Sequence, residues 1–421
     1  MLRIFQTLVR WEWPLRALRP LVGPFNPFLR EFQRDPYPAY RRLQARDRPL
    51  KSPLLGGGIV LARYDDVVAA LTDARLSVDR TNAAVFRRLQ PFRGLSDDFV
   101  AGITSTLLML DPPAHTRLRR LVNKAFTPRV VETLRPRIQA QVDELLDRVR
   151  SRRAMDLVRD LAVPLPVTVI AELLGVPIED RAHLKEWSDA LAVLLDPLQA
   201  AEGLAGCQRA YDELATYMRA IFAARRAEPR DDLISALVAV EEQGQTLSET
   251  ELLSLVFLIL GAGHETTTNL IGNAVLALLR HPAERRRLQD DPSLVDSAVE
   301  EFLRFDSPVQ ATDRVAAEEA EVAGVRIRRG AVTLCLLGAA NRDPARFPDA
   351  DRLDLGRRDN HHLAFGQGAH FCLGAALARA EAQIAIATLL RELPDLDGDR
   401  SASQWRRSMV LRGPTSLALS W

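Results

Sequence analysis

The sequence predicts a mainly α protein with a small β region, folded as one large domain. Apolar residues recur at helical spacing over most of the chain, in stretches of ten to thirty residues. Strand-like patterning is confined to Leu55 to Ala62 and to Glu321 to Leu337. No Gly/Ser or Pro-rich linker, repeat or low-complexity run divides the 421 residues, of which 47% are apolar. Such a chain can bury one large core.

The elements follow in order. Asp35-Pro-Tyr-Pro-Ala-Tyr starts a helix with prolines in its first turn, where a missing N–H costs nothing. The Leu55 to Ala62 strand turns at Gly56 to Gly58, and Tyr64 to Thr72 has the length and spacing of a short helix. Residues 77–108, with Pro91, Gly94 and Gly102 among scattered apolar residues, read as irregular. Helices are expected over 116–126, 130–152, 164–174, 180–195 and 199–226. The longest pattern, 248–280, opens with Ser248 and Glu251 spaced as a capping box. Another helix is expected over 294–304. Asn341 to Phe371 has no period and is rich in Pro, Asp and Arg; a loop of that length inside a compact domain is usually functional.

Composition excludes several classes. The formal net charge is +1, which gives no support to nucleic-acid binding. Cys207, Cys335 and Cys372 are too few and too far apart for a disulfide framework or a zinc site, so a reducing cytoplasm is expected. Residues 1–22 alternate apolar side chains with Arg3, Arg10, Arg16 and Arg19. No apolar run there reaches the length of a signal core or a membrane span. This segment reads as an amphipathic extension packed on the protein's own surface, ahead of a domain spanning 23–421.

Two segments carry the chemistry. Phe365-Gly-Gln-Gly-Ala-His-Phe-Cys-Leu-Gly374 places Cys372 in a glycine-rich loop directly before an Ala-rich helix. Gly368 and Gly374 permit tight or positive-φ turns, and the first amides of the helix direct partial positive charge at the sulfur. The second segment is Ala262-Gly-His-Glu-Thr-Thr-Thr268, after an uncharged run from Leu252 to Gly263. Thr266 follows Ala262 by four residues, so its hydroxyl can bond the Ala262 carbonyl and bend the helix.

The pattern Phe-x-x-Gly-x-x-x-Cys-x-Gly resembles the haem-ligand loop of the cytochrome P-450 superfamily, and the resemblance extends from about Asp35 to the end. It implies the single-domain triangular fold of that family and haem b bound noncovalently, with Cys372 as axial ligand and Phe365, Gly368 and Gly374 shaping the loop. Ala262 would lie against the haem. Glu265 and Thr266 would form the acid–alcohol pair that delivers protons to dioxygen. His115 and Arg119, one helical turn apart, together with Arg314 and His370, match positions that hold the propionates. Glu301 and Arg304 in Glu301-Phe-Leu-Arg304, with Arg352 as second arginine, match a structural triad. Leu258, Gly261, Val309, Gln310 and Ala311 match positions that line a lipophilic substrate pocket.

The activity implied is insertion of one oxygen atom of O2 into a C–H bond or a C=C bond by a monomeric enzyme. No flavin, iron–sulfur or Gly-x-Gly-x-x-Gly motif occurs in these residues, so a ferredoxin with its reductase is expected as partner. Arg117, Arg120, Lys124, Arg357, Arg358 and Arg379 would form its docking face. A peroxide-driven or non-redox haem-thiolate enzyme and a non-catalytic haem protein are the alternative readings; the intact Glu265–Thr266 pair argues against the first.

Overall fold

The structure, a computed structural model, describes residues 25–421 except Pro53, Leu54, Gly56, Phe126, Gln243, Ala402 and Ser403. The expected amphipathic segment 1–22 lies outside the described residues. Ten helices position the site: α1 Tyr37–Gln44, α2 Tyr64–Thr72, α3 Ala114–Ala125, α4 Pro128–Arg150, α5 Pro164–Leu173, α6 Arg181–Ala192, α7 Pro197–Ala227, α8 Glu249–Arg280, α9 Val295–Phe305 and α10 Ala375–Glu392. All were expected, and α2 has the anticipated bounds. Residues 77–108 differ: they contain helices Ala84–Leu89 and Asp97–Thr104. The second is capped by Ser96, whose Oγ accepts from the Phe99 amide at 3.3 Å. Short helices between turn residues leave little periodicity to read.

The largest sheet has five strands, β1 Leu50–Ser52, β2 Gly58–Leu61, β3 Leu76–Ser77, β4 Thr312–Ala316 and β5 Val332–Cys335, in the order β1-β2-β5-β4-β3. One three-stranded and two two-stranded sheets lie outside it among the described residues, so strands are more widely spread than the two expected segments. Only β2 and β5 run parallel, with Thr333 opposite Ile59. Gly58 is obligatory, since a Cβ there would lie 1.8 Å from the Val332 carbonyl oxygen.

Helix α8 is the axis of the fold. Both arms of its capping box form: the Glu251 amide donates to Ser248 Oγ at 3.2 Å, and the Ser248 amide donates to Glu251 Oε2 at 2.8 Å. It packs directly against α5, α6, α9 and α10, and its apolar residues are the centre of the largest core cluster. Among the described residues no helix is long and apolar enough to cross a membrane.

The aperiodic segment after residue 340 is held from below by α9. Glu301 and Arg304 are both 0% exposed and form a two-pronged ion pair, Nε to Oε2 and Nη2 to Oε1, each 2.8 Å. Arg304 Nη1 also donates to the carbonyls of Asn341 and Ala350 at 2.9 and 2.8 Å, and Nη2 to that of Arg352 at 3.1 Å. The second arginine on Glu301 is Arg357, 3.2 Å away, and not Arg352, whose side chain is exposed. Arg352 takes part through its carbonyl alone. Sequence spacing across a segment without periodicity could not decide which nearby arginine reaches inward.

Candidate active site

The loop before α10 is built as its glycines suggested, with one change. Gly366 and Gly368 have φ of 70° and 75°, and the Cys372 amide closes onto the Phe365 carbonyl at 3.0 Å. Gly374, however, has φ −85°; it caps α10, and its amide hydrogen-bonds Cys372. Cys372 is exposed on one side and crowded by protein on the others. Burial pushes its thiol up, opposed by the Gly374 amide and by Arg119 and Arg379. A coordinated metal would add the positive charge that favours a thiolate here.

Arg379 is committed elsewhere. It bonds Glu300 of α9 at 2.6 and 2.8 Å and lies 4.6 Å from the Phe365 ring centroid. Burial raises the Glu300 carboxyl, but Arg379 and His362 bring it down to about 2. A carboxyl depressed on folding contributes stability that is complete above about 4.5 and is lost as pH falls through about 2. The full difference corresponds to roughly 3 kcal/mol. In denaturant unfolding, the stability gap between wild type and Glu300→Gln is expected to narrow as pH falls from 6 to 3. A gap constant with pH would show that the carboxylate charge contributes nothing.

Along α8, Leu258, Ile259, Ala262, Gly263 and Thr266 are only partly buried while their neighbours are fully buried, which marks one open stripe. Thr266 Oγ1 donates to the Ala262 carbonyl at 3.0 Å, as its spacing required. Gly261 is off this stripe; a Cβ there would meet Leu191 of α6 at 3.5 Å, so its role is helix packing. Glu265, 7% exposed, is held by Arg406 at 2.7 Å, a partner from the C-terminal stretch with no sequence signal. Gln310 does not line a pocket with its amide, which bonds the Tyr37 and Tyr40 hydroxyls and the Ser307 carbonyl. Ala311 packs in the apolar cluster of α1, and Val309 bridges to Leu411.

Four cationic or imidazole groups converge near the loop. The His115 and His370 rings lie 4.1 Å apart. Desolvation, then His115 and Arg314, push His370 down to about 4. Desolvation and Arg119 lower His115 as well. Arg314 is 5% exposed and, among the described residues, donates only to the neighbouring Asp313 carbonyl. Arg119 forms no ion pair among the described residues. Of the expected docking face, Arg117 is paired with Glu251 and Arg357 with Glu301, while Arg120 and Arg358 remain exposed.

A cysteine loop capping one helix, beside a helix carrying an acid–alcohol pair, defines a haem-thiolate class of enzyme. Residues 60–394 match the family Cytochrome P450, and the chain belongs to it. It is 44% identical over 393 residues to Cytochrome P450 107B1 of Saccharopolyspora erythraea, covering 91% of this chain and 94% of that protein. It is 45% identical to Vitamin D(3) 25-hydroxylase of Pseudonocardia autotrophica, with 91% and 93% covered. Among solved structures, myxobacterial CYP267B1 in complex with myristic acid superposes with a TM-score of 0.82 at 44% identity, covering 96% of this chain and 98% of that one. The protein is thus a P450 monooxygenase, and the family implies haem.

The residues present fit that group. His115 Nε2 is buried with no hydrogen-bond partner among the described residues, an arrangement that costs about 1–3 kcal/mol unless an acceptor meets it. It stands among Arg119, Arg314 and His370, a surplus of donors suited to a pair of carboxylates.

Proposed function

We propose that this enzyme binds haem b through Cys372 and inserts one oxygen atom of O2 into a C–H or C=C bond of a lipophilic small molecule, with electrons from a separate ferredoxin. Arg119, Arg314, His115 and His370 would hold the propionates. When bound, the haem supplies an iron centre that activates dioxygen and transfers one of its atoms. The observation that carries the reading is the Thr266 hydroxyl, anchored on the Ala262 carbonyl at the open stripe, with Glu265, whose carboxylate Arg406 holds, the residue before it in the chain. A hydroxyl both donates and accepts, so Thr266 Oγ1 can pass a proton that Glu265 supplies once its bond to Arg406 loosens or a water bridges the two. The apolar members of the stripe, Leu258, Ile259 and Ala262, orient the substrate and exclude water. The names of the vitamin D and myristic acid relatives support a lipophilic substrate. A single domain over 23–421, working as a monomer in the cytoplasm, completes the reading. Exposed Arg120 and Arg358 favour an acidic partner, speeding association more than tightening it.

The test uses a surrogate ferredoxin and reductase with ¹⁸O-labelled dioxygen and a panel of fatty acids and sterols. Product is expected to gain one labelled oxygen. Thr266→Ala should keep consuming NADPH while product formation falls, the balance appearing as hydrogen peroxide; general-acid contributions are worth ~10²–10⁴-fold. In the same assay, reduction should slow as salt rises, because charges are screened beyond about 10 Å at 0.1 M. Unchanged product per NADPH in Thr266→Ala would remove the proton role, and salt-independent reduction would remove the acidic partner.

A further inference from the structure

His264 precedes the acid Glu265 and has no part in the reading above. It is 3% exposed in the middle of α8, yet its ring meets two consecutive residues of α6. Nδ1 lies 2.6 Å from Ser188 Oγ, and Nε2 lies 3.2 Å from Asp189 Oδ1. Ser188 Oγ in turn donates to the Leu260 carbonyl at 2.5 Å, one turn before His264, and that carbonyl also lies 3.3 Å from Nδ1. That donation uses the one hydrogen a serine hydroxyl has. Every contact then joins a hydrogen to an oxygen only when both ring nitrogens carry hydrogen. With one proton fewer, the Ser188 hydroxyl turns from Leu260 to Nδ1, and Nε2–H stays on Asp189. The same heavy atoms thus support two bonding patterns that differ by a single proton.

The space beside the ring is a polar cavity of about 290 Å³. Its charged groups are Lys185 and Asp189 from α6, Glu265 from α8 and Arg406 from the C-terminal stretch; Val158, Val163 and Thr415 add none. Ligand atoms of Asp189, His264 and Glu265 lie within 4.8 Å of one another, a gap that one water spans. The side chains of Lys185 and Asp189 are 45% and 47% exposed, which opens the far end to solvent. Burial alone would raise the Asp189 carboxyl, but His264 and Lys185 hold it below its ordinary value. A metal ion is disfavoured as occupant, because Lys185 on Asp189 (2.5 Å) and Arg406 on Glu265 (2.7 Å) already balance both carboxylates.

We propose that His264 relays protons from solvent at Asp189 and Lys185 to Glu265. The inference rests on the assignment of Glu265 and Thr266 as the proton-delivering pair. In the relay, a proton from bulk water is taken up by the neutral ring. One ring N–H bond then breaks as its proton passes through a cavity water to a Glu265 carboxylate oxygen, where an O–H bond forms. The ring is left neutral, ready for the next proton, and no electrons are exchanged. His264 is a positioning and relay residue; it does not touch the reacting atoms.

His264→Gln separates relay from architecture, since glutamine can hydrogen-bond Ser188 and Asp189 but cannot carry a proton through its side chain. The holoenzyme is assayed for NADPH consumption with the surrogate ferredoxin pair in H2O and D2O, without added substrate, and its reduced carbon monoxide spectrum is recorded. His264→Gln and His264→Ala are both expected to keep the spectrum, to slow consumption roughly tenfold, below the range of a direct general acid, and to enlarge the solvent isotope effect. Adding His264→Gln to Glu265→Gln should cost nothing further, because residues in one path are not additive. A wild-type rate and isotope effect in His264→Gln would overturn the relay and leave the ring as a tie between α6 and α8. If His264→Gln loses its haem spectrum, Ser188→Ala tests the same exchange with the ring intact; an unchanged isotope effect there overturns the proposal. A wild-type rate in Glu265→Gln is a separate failure, that of the acid–alcohol assignment itself.

Discussion

Cys372→Ser is expected to abolish the thiolate-type spectrum and with it all turnover. Reduced wild-type protein with carbon monoxide should show the red-shifted Soret band of thiolate ligation, and the variant should not. The reason lies in the competition at the sulfur. Burial disfavours a lone thiolate, and the Gly374 amide, Arg119 and Arg379 offset this only in part. A coordinated metal would favour the thiolate against that burial, and a serine hydroxyl, far harder to deprotonate, does not replace it. The fold should survive, since the Cys372 amide bond to Phe365 and the Glu300–Arg379 contact do not involve the sulfur. A wild-type spectrum of the histidine-ligated kind would remove the cysteine from the iron and with it the proposed chemistry.

Glu301→Ala should be the most damaging substitution outside the loop. It would leave Arg304, with no exposed surface, and Arg357, 11% exposed, without their shared anion. It would also orphan the Asp354 amide and the Asn360 side-chain amide, which donate to Glu301 at 2.9 and 3.2 Å. Breaking one side of a buried pair costs roughly 3–5 kcal/mol, a large fraction of the ~5–15 kcal/mol that separates folded from unfolded proteins. Haem content on purification and the midpoint of urea unfolding should both fall sharply. Arg352→Ala, by contrast, should leave both nearly unchanged, because only its carbonyl is used. Equal damage from the two would return Arg352 to the triad.

What the sequence made legible was whatever repeats locally. The four-residue interval from Ala262 to Thr266, the three-residue interval from Ser248 to Glu251 and the uncharged run before Gly263 are properties of one helix, and each formed the bond or burial it implied. The cysteine loop was readable because its glycines and its cysteine lie within ten residues. What stayed hidden depends on chain distant in sequence. Arg406 reaches Glu265 from 141 positions away, and Ser188 and Asp189 reach His264 across 76 and 75. The choice between Arg352 and Arg357 turned on the path of an aperiodic loop. Gly261 was misplaced for a subtler reason: a helix face is set by what packs on it, and α6 covers that side.

Much of the hold of α9 on the segment after residue 340 is made to main chain, beside the side chains of Arg357, Asn360 and His362. Arg304 takes the carbonyls of Asn341, Ala350 and Arg352, Arg357 takes those of Pro348, Asp349 and Arg352, and Glu301 receives the Asp354 amide. Carbonyls and amides are the same whatever residue bears them. Apart from Arg357, Asn360 and His362, whose side chains α9 does hold, the side chains of this stretch are left free of the clamp, while an insertion or deletion of even one residue would bring the wrong peptide groups to it. The segment tolerates changes of spelling but not of length.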